Sequence, residues 1–123
     1  MARILVIEDD VQLQKMLHQM LTHEGYDVQV ASNGVEGIRC YRKTPADLVI
    51  TDIIMPEKTG FETISELKES YPEVKIIAMS GGSRSGVKLL NMAETIGAQR
   101  TLNKPFTRTQ LIATIIEVLN KPF

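Results

Sequence analysis

The chain predicts an α/β fold in which a parallel sheet is covered by helices on both faces. Three observations carry that prediction. Short apolar runs alternate with stretches of helical apolar spacing, five times over, in 123 residues. One of the runs, RILVIE at residues 3–8, is near-continuous in branched apolar residues, as a strand buried on both faces is, and DLVIT at residues 47–51 carries the apolar run Leu48, Val49 and Ile50. No linker, internal repeat or low-complexity tract interrupts the alternation.

The first strand is read over Arg3–Glu8. Asp10 is placed to cap the helix after it, where Leu13, Met16, Leu17, Met20 and Leu21 recur at helical spacing and Gly25 ends the pattern. Met16 and Met20 are expected in that helix's core face. Asp27–Ala31 alternates and is short, as an outer strand is. Asn33 and Glu36 read as a capping box, with Val35, Ile38 and Tyr41 forming one helical stripe. The third strand is Asp47–Thr51. A third helix follows Gly60, with Phe61, Ile64, Leu67 and Tyr71 on one face, and Pro72 stops it. The fourth strand is Lys75–Met79, and SGGSRSG at residues 80–86 reads as the loop after it. Leu89, Leu90, Ala93 and Ile96 mark a fourth helix ending at Gly97. Gln99–Asn103 is a polar fifth strand. Thr107 and Gln110 form a capping box, and Leu111, Ile112, Ile115, Ile116 and Leu119 build the last helix.

Composition narrows the function. Fourteen basic residues nearly cancel fifteen acidic ones, so a net charge of −1 gives no general attraction to nucleic acid by this domain alone. Cys40 is the single cysteine, which excludes an intramolecular disulfide, suits a reducing compartment, and reads as a small packing residue. MARILVIEDD turns acidic too early for a secretory signal, and no apolar run reaches membrane-spanning length. The expectation is one cytoplasmic domain over residues 1–123 with no membrane partner.

Chemistry in such a sheet concentrates at the carboxyl ends of the strands. There the sequence places Glu8, Asp9 and Asp10 after the first strand, Asp52 after the third, Ser80 after the fourth and Lys104 after the fifth. If those strands are neighbours, the groups share one cleft. Two carboxylates about 4 Å apart repel by about 4 kcal/mol at an effective dielectric near 20, so one takes a proton or a cation binds. Oxygen ligands without His or Cys suit Mg²⁺ or Mn²⁺. Mg²⁺ usually takes only one or two carboxylates plus water and phosphate oxygens, which leaves another carboxylate to react, and Asp52 is the natural nucleophile to attack phosphorus. Lys104 then neutralises charge on the phosphoryl group, and the Ser80 hydroxyl can donate to it. The bland alternatives are helix capping for the acidic pair, a turn for Asp52, a loop role for Ser80 and a solvated Lys104.

ILVIEDD, DLVITDIIMPEKTG, IIAMSG and NKPF, in this order and spacing, make the whole chain resemble the receiver domain of bacterial two-component response regulators. That resemblance implies a flavodoxin-like, doubly wound three-layer fold with strand order 2-1-3-4-5. It implies that Asp52 takes a phosphoryl group from a histidine kinase or histidine phosphotransfer protein and that a downstream protein or output domain reads the change. It further implies Asp9, Asp52 and the Ile54 carbonyl as Mg²⁺ ligands, Glu8 acting through water, Asp10 as a cap, Ser80 as the switch hydroxyl, Lys104 as the phosphate partner and a cis Lys104–Pro105 bond. Three positions depart from the family pattern. Thr101 stands where an aromatic ring is usual, Ile54 is apolar, and position 82 is Gly. With no ring at 101, the readout is expected from the 81–90 segment.

Two other classes fit less well. An Mg²⁺-dependent phosphohydrolase with an Asp nucleophile needs Asp-x-Asp after the first strand, but Gln12 stands two residues after Asp10. A flavin-binding electron carrier needs a Ser/Thr/Gly-rich phosphate loop where this chain has Glu-Asp-Asp. The glycine-rich 80–86 stretch lacks the Lys-Ser ending of a P-loop and reads as a connector. His18 and His23 read as helix-surface residues rather than phosphohistidine sites.

Overall fold

The computed structural model describes residues 2–55, 58–81 and 84–120, with the backbone alone at 84–87. The elements run β1 (Arg3–Ile7), α1 (Val11–His23), β2 (Asp27–Ala31), α2 (Gly34–Lys43), β3 (Leu48–Asp52), α3 (Gly60–Ser70), β4 (Ile76–Gly81), α4 (Arg84–Thr95), β5 (Arg100–Lys104) and α5 (Arg108–Asn120). All four strand pairings are parallel, and the order is β2-β1-β3-β4-β5. This is the flavodoxin-like order that the resemblance implies. The central strands are β1, β3 and β4, and their apolar continuity follows from burial on both faces.

Period-two alternation splits the core in two. Leu5, Ile7, Val49, Ile76 and Ala78 face α2, α3 and α4, where Ile38, Tyr41, Ile64, Leu67, Leu90 and Ala93 cover them. Ile4, Val6, Leu48, Ile50, Ile77 and Met79 face α1 and α5, where Leu17, Leu21, Leu111, Ile115 and Val118 close the other layer. Full burial of one such side chain stabilises the fold by roughly 1.5–3 kcal/mol. Tyr41 and Tyr71 meet edge to face with ring centroids 4.8 Å apart.

Capping fixes where helices begin. Asp10 accepts hydrogen bonds from the N–H groups of Gln12 at 2.9 Å and Leu13 at 3.3 Å, as expected. Asn33 caps α2 by accepting from the Glu36 N–H at 2.8 Å; the expected reciprocal half of that box is not made. The Thr107–Gln110 box is complete. Thr59 and Glu62 form a second complete box that opens α3. Gly25 and Gly97 have φ of +96° and +126°, conformations that suit glycine at helix ends.

Several expectations are corrected. β4 extends through Ser80 and Gly81, because Ser80 pairs with Asn103 and Gly81 with Lys104; the connector to α4 is therefore short. β1 stops at Ile7, β3 runs to Asp52, and β5 runs from Arg100 to Lys104. Met16 is 46 % exposed and Val35 43 %, so both lie outside the core stripes read for them. Cys40 is half-buried beside the core, as read. Pro56 and Gly82 lie outside the described residues. Among the described residues no helix is long and apolar enough to cross a membrane.

Candidate functional site

The strand order makes β1, β3, β4 and β5 successive neighbours, so their carboxyl ends form one edge. The register is close to level across it: Ile7 pairs with Thr51, Asp52 with Met79, and Ser80 with Asn103. Glu8 is therefore level with Asp52, Ser80 lies one residue further along the strand axes and Lys104 two, so the lysine side chain reaches back to the carboxylates. The bonds fix them further. Lys104 Nζ donates to Glu8 Oε1 and to Asp52 Oδ2, each at 2.8 Å. Oxygens of Glu8, Asp9 and Asp52 all lie within 4.8 Å of one another.

Glu8 is fully buried and Asp52 is 8 % exposed, while Asp9 is exposed. Buried carboxylates are costly unless paired. Burial pushes the Glu8 carboxyl up to about 7. The hydrogen bonds from Lys104 and the Asp10 N–H pull it down, and the charge of Asp52 adds to the rise. For Lys104 burial opposes the charge, but its bonds to Asp52 and Glu8 outweigh that and hold the ammonium above its ordinary range. The two directions are compatible: one ammonium has two carboxylate acceptors, so Glu8 can take up a proton without freeing the lysine.

Ser80 is 1 % exposed, and its Oγ has no hydrogen-bond partner among the described residues. An unpaired buried hydroxyl costs about 1–3 kcal/mol, and functional sites are where such groups are retained. Thr101 is half-buried on β5, opposite Ala78 and two residues before Asn103, the partner of Ser80. Ile54 follows Asp52 by two; its N–H makes a long 3.4 Å bond to Asp52 Oδ1, and the residue is 66 % exposed. Asp10 belongs to α1 as its cap and not to the acidic cluster. The structure thus brings Glu8, Asp9, Asp52 and Lys104 into direct proximity and sets Ser80 on the adjoining strand end.

Gly60 is a contributor that the sequence reading did not single out. It opens α3 directly behind the site, and its N–H donates to the Ile53 carbonyl at 2.7 Å. A Cβ there would stand 2.3 Å from the Asp52 carbonyl oxygen and 2.5 Å from Ile53 Cα. A Thr-Gly pair opening a helix, with Glu62 completing the box, is the local signal; the contact with Asp52 has none.

The cluster's donor set tests the expected metal. Oxygen-only carboxylates, with a cation already bonded to two of them, fit a hard divalent ion. No tetrahedral nitrogen–sulfur set occurs among the described residues.

Comparison with known proteins follows the same line. Residues 4–116 match the family model for the response regulator receiver domain. The chain is 34 % identical over 121 residues to the DNA-binding transcriptional regulator NtrC of Rhizobium meliloti, covering 98 % of this chain and 25 % of that protein. It is 32 % identical to the chemotaxis protein CheY of Thermotoga maritima, covering 97 % of this chain and 95 % of that protein. A receiver domain protein of Clostridium thermocellum, solved by crystallography, superposes with a TM-score of 0.86 at 32 % identity, over 98 % of this chain and 95 % of that one. The Vibrio cholerae chemotaxis protein CheY4 gives 0.87 at 29 %, over 96 % and 98 %. The chain spans a quarter to about half the length of several longer regulators it matches.

Proposed function

The chain belongs to the response regulator receiver domain family of two-component signalling, and from that premise we propose that Asp52 is its phosphoacceptor. Receiver domains are generally not turnover enzymes, and the family match sets aside the phosphohydrolase reading. Residues 1–123 form one such domain, working in the cytoplasm. The observation that carries the assignment is the triangle of Lys104 Nζ bonded to Glu8 Oε1 and Asp52 Oδ2 at the carboxyl edge of the sheet.

The reaction is a transfer to Asp52. A carboxylate oxygen of Asp52 attacks phosphorus of a phosphohistidine on a kinase or phosphotransfer partner. The new P–O bond forms as the P–N bond breaks, and the electron pair stays on the donor imidazole, which takes a proton from solvent. Such a transfer depends on positioning and charge neutralisation. Asp52 is positioned by β3 and by the α3 start behind it. Lys104 already bonds the attacking carboxylate and can follow charge onto the phosphoryl oxygens. The Ser80 hydroxyl, without a partner among the described residues, is placed to donate to one of them.

Asp9, Asp52 and the Ile54 carbonyl would hold Mg²⁺ or Mn²⁺, which supplies the remaining neutralisation of phosphoryl charge when bound. Both Glu8 oxygens are engaged, Oε1 by Lys104 and Oε2 by the Asp10 N–H at 3.1 Å, which favours a role through water. A downstream protein or output domain reads the change.

The test is intact-mass measurement after incubation with acetyl phosphate and Mg²⁺. One added phosphoryl group is expected, absent without a divalent cation and absent in Asp52→Asn. Full labelling of Asp52→Asn would sink the assignment.

A further inference from the structure

Resting on the reading of Asp52 and its acidic pair, we infer that Gln14 is a positioning residue. Its carboxamide pins the peptide between Glu8 and Asp9 and so aims both carboxylates at the site. Gln14 lies on the second turn of α1, half-buried. Its Nε2 donates to the Glu8 carbonyl at 3.0 Å and, more weakly, to the Ala31 carbonyl at 3.4 Å. Neither contact is part of a helix or a strand ladder.

The sheet explains why that bond is needed. The Glu8 N–H still donates to the Ala31 carbonyl at 3.0 Å, which continues the β1–β2 pattern one step past Ile7. In a parallel ladder the Glu8 carbonyl would next accept from a further residue of β2. But β2 ends at Ala31, and Asn33 is already turned to cap α2. The Glu8 carbonyl loses its strand donor at the point where the chain must hold two carboxylates in register with Asp52. Gln14 supplies the donor from the helix instead.

Planarity makes this bond consequential. The Glu8 carbonyl and the Asp9 N–H belong to one rigid peptide unit. Fixing the carbonyl direction fixes the plane and both flanking Cα atoms, and leaves ψ of Glu8 and φ of Asp9 as the adjoining dihedrals through which the two side chains can swing. The Glu8 side chain has other anchors, at Lys104 and the Asp10 N–H. Asp9 is exposed and leans on the backbone for its placement. Loss of the Gln14 donor therefore acts chiefly on Asp9, the carboxylate proposed to bind the cation.

The test uses the full chain with Gln14→Met, near-isosteric but without donors, and Gln14→Arg, which restores N–H donors. Acetyl phosphate labelling is followed by intact mass across a Mg²⁺ series, with urea midpoints for each variant. Gln14→Met is expected to raise the half-saturating Mg²⁺ concentration by roughly tenfold, the low end for outer-shell partners of metal ligands. The rate at saturating Mg²⁺ falls less, and Gln14→Arg recovers most of the affinity. An unchanged half-saturation in Gln14→Met overturns the inference. So does a shift that Arg fails to rescue and that merely follows the urea midpoint. Absence of labelling in the unmodified chain would instead defeat the phosphoacceptor reading, so the two failures are distinct.

Discussion

Replacing Gly60 by alanine tests whether α3 seats the reacting residue. The added Cβ would lie 2.3 Å from the Asp52 carbonyl oxygen and 2.5 Å from Ile53 Cα, where ordinary contact begins near 3.4 Å. Both neighbours are backbone, so neither can rotate away. Relief needs a displacement of about 1 Å, the difference between 3.4 and 2.3 Å, shared between the start of α3 and the end of β3. Overpacking of this kind costs about 1–3 kcal/mol. Lengthening the 2.7 Å bond from Gly60 N–H to the Ile53 carbonyl adds about 1 kcal/mol. Better helix propensity returns up to about 1 kcal/mol, so a net loss of about 1–3 kcal/mol is expected. The functional cost is larger in proportion, because a misplacement of about 1 Å at reacting groups can lower a rate about a hundredfold. Urea unfolding reads the first quantity, and the initial rate of acetyl phosphate labelling reads the second. Gly97→Ala is the control: it lies between α4 and the start of β5, at φ +126°, and its Cβ meets the Lys68 side chain at 2.9 Å, so it should lose stability without a comparable loss of rate. A Gly60→Ala protein that labels as fast as the unmodified chain would refute the claim that this contact holds Asp52 in place.

Two further outcomes are expected. The Glu8 carboxyl, raised by burial to about 7 from an ordinary 4.5, is favoured in its neutral form in the folded metal-free protein. Its contribution to stability is full below about 4.5 and is lost as pH rises through 7, at most about 3 kcal/mol. Metal-free urea midpoints between pH 5 and 8 should therefore fall more steeply in the unmodified chain than in Glu8→Gln, and parallel slopes would contradict it. Slow loss of the phosphoryl group is also expected, because Ile54 and Gly82 offer no side-chain hydrogen bond to orient a water in line with the P–O bond. Mass decay after removal of acetyl phosphate measures it, and a lifetime of seconds at neutral pH with Mg²⁺ would overturn it.

What could be read from the sequence was what local pattern controls. Continuous apolar runs located β1 and β3, alternation with helical stripes implied parallel pairing, and polar residues just after those runs marked the site. Errors arose where distant pairing decided the outcome. Ser80 and Gly81 have the composition of a loop, yet Asn103 and Lys104 draw them into the sheet. Gln99 reads as strand, but its side chain instead bonds the Ile76 N–H at 2.7 Å and the Val74 carbonyl, just before β5 begins. Met16 has helical spacing with Leu13 and Met20, but Leu17 and Leu21 take the fully buried positions. Gln14 and Gly60 were illegible for a related reason. Each acts on a backbone group of another element, and neither a glutamine on a helix nor a glycine at its start reveals which carbonyl it will meet.

The same geometry bears on how a phosphoryl group at Asp52 would be felt elsewhere. Lys104 holds two carboxylates, and Ser80 holds a hydroxyl that nothing among the described residues satisfies. Under the proposed role, a phosphoryl oxygen offers Ser80 a charge-assisted bond, so repairing an existing deficit supplies part of the driving force. Thr101 faces Ala78 across the β4–β5 ladder and is too small to fill space with a ring. The response must then travel in the backbone. Ser80 and Gly81 are themselves strand residues paired with Asn103 and Lys104, so a shift of Ser80 toward Asp52 pulls on the two residues of β5 that carry the lysine. Charge arriving at one strand end is thereby coupled to the register of its neighbour and to the start of α4, without any side chain at position 101 having to turn.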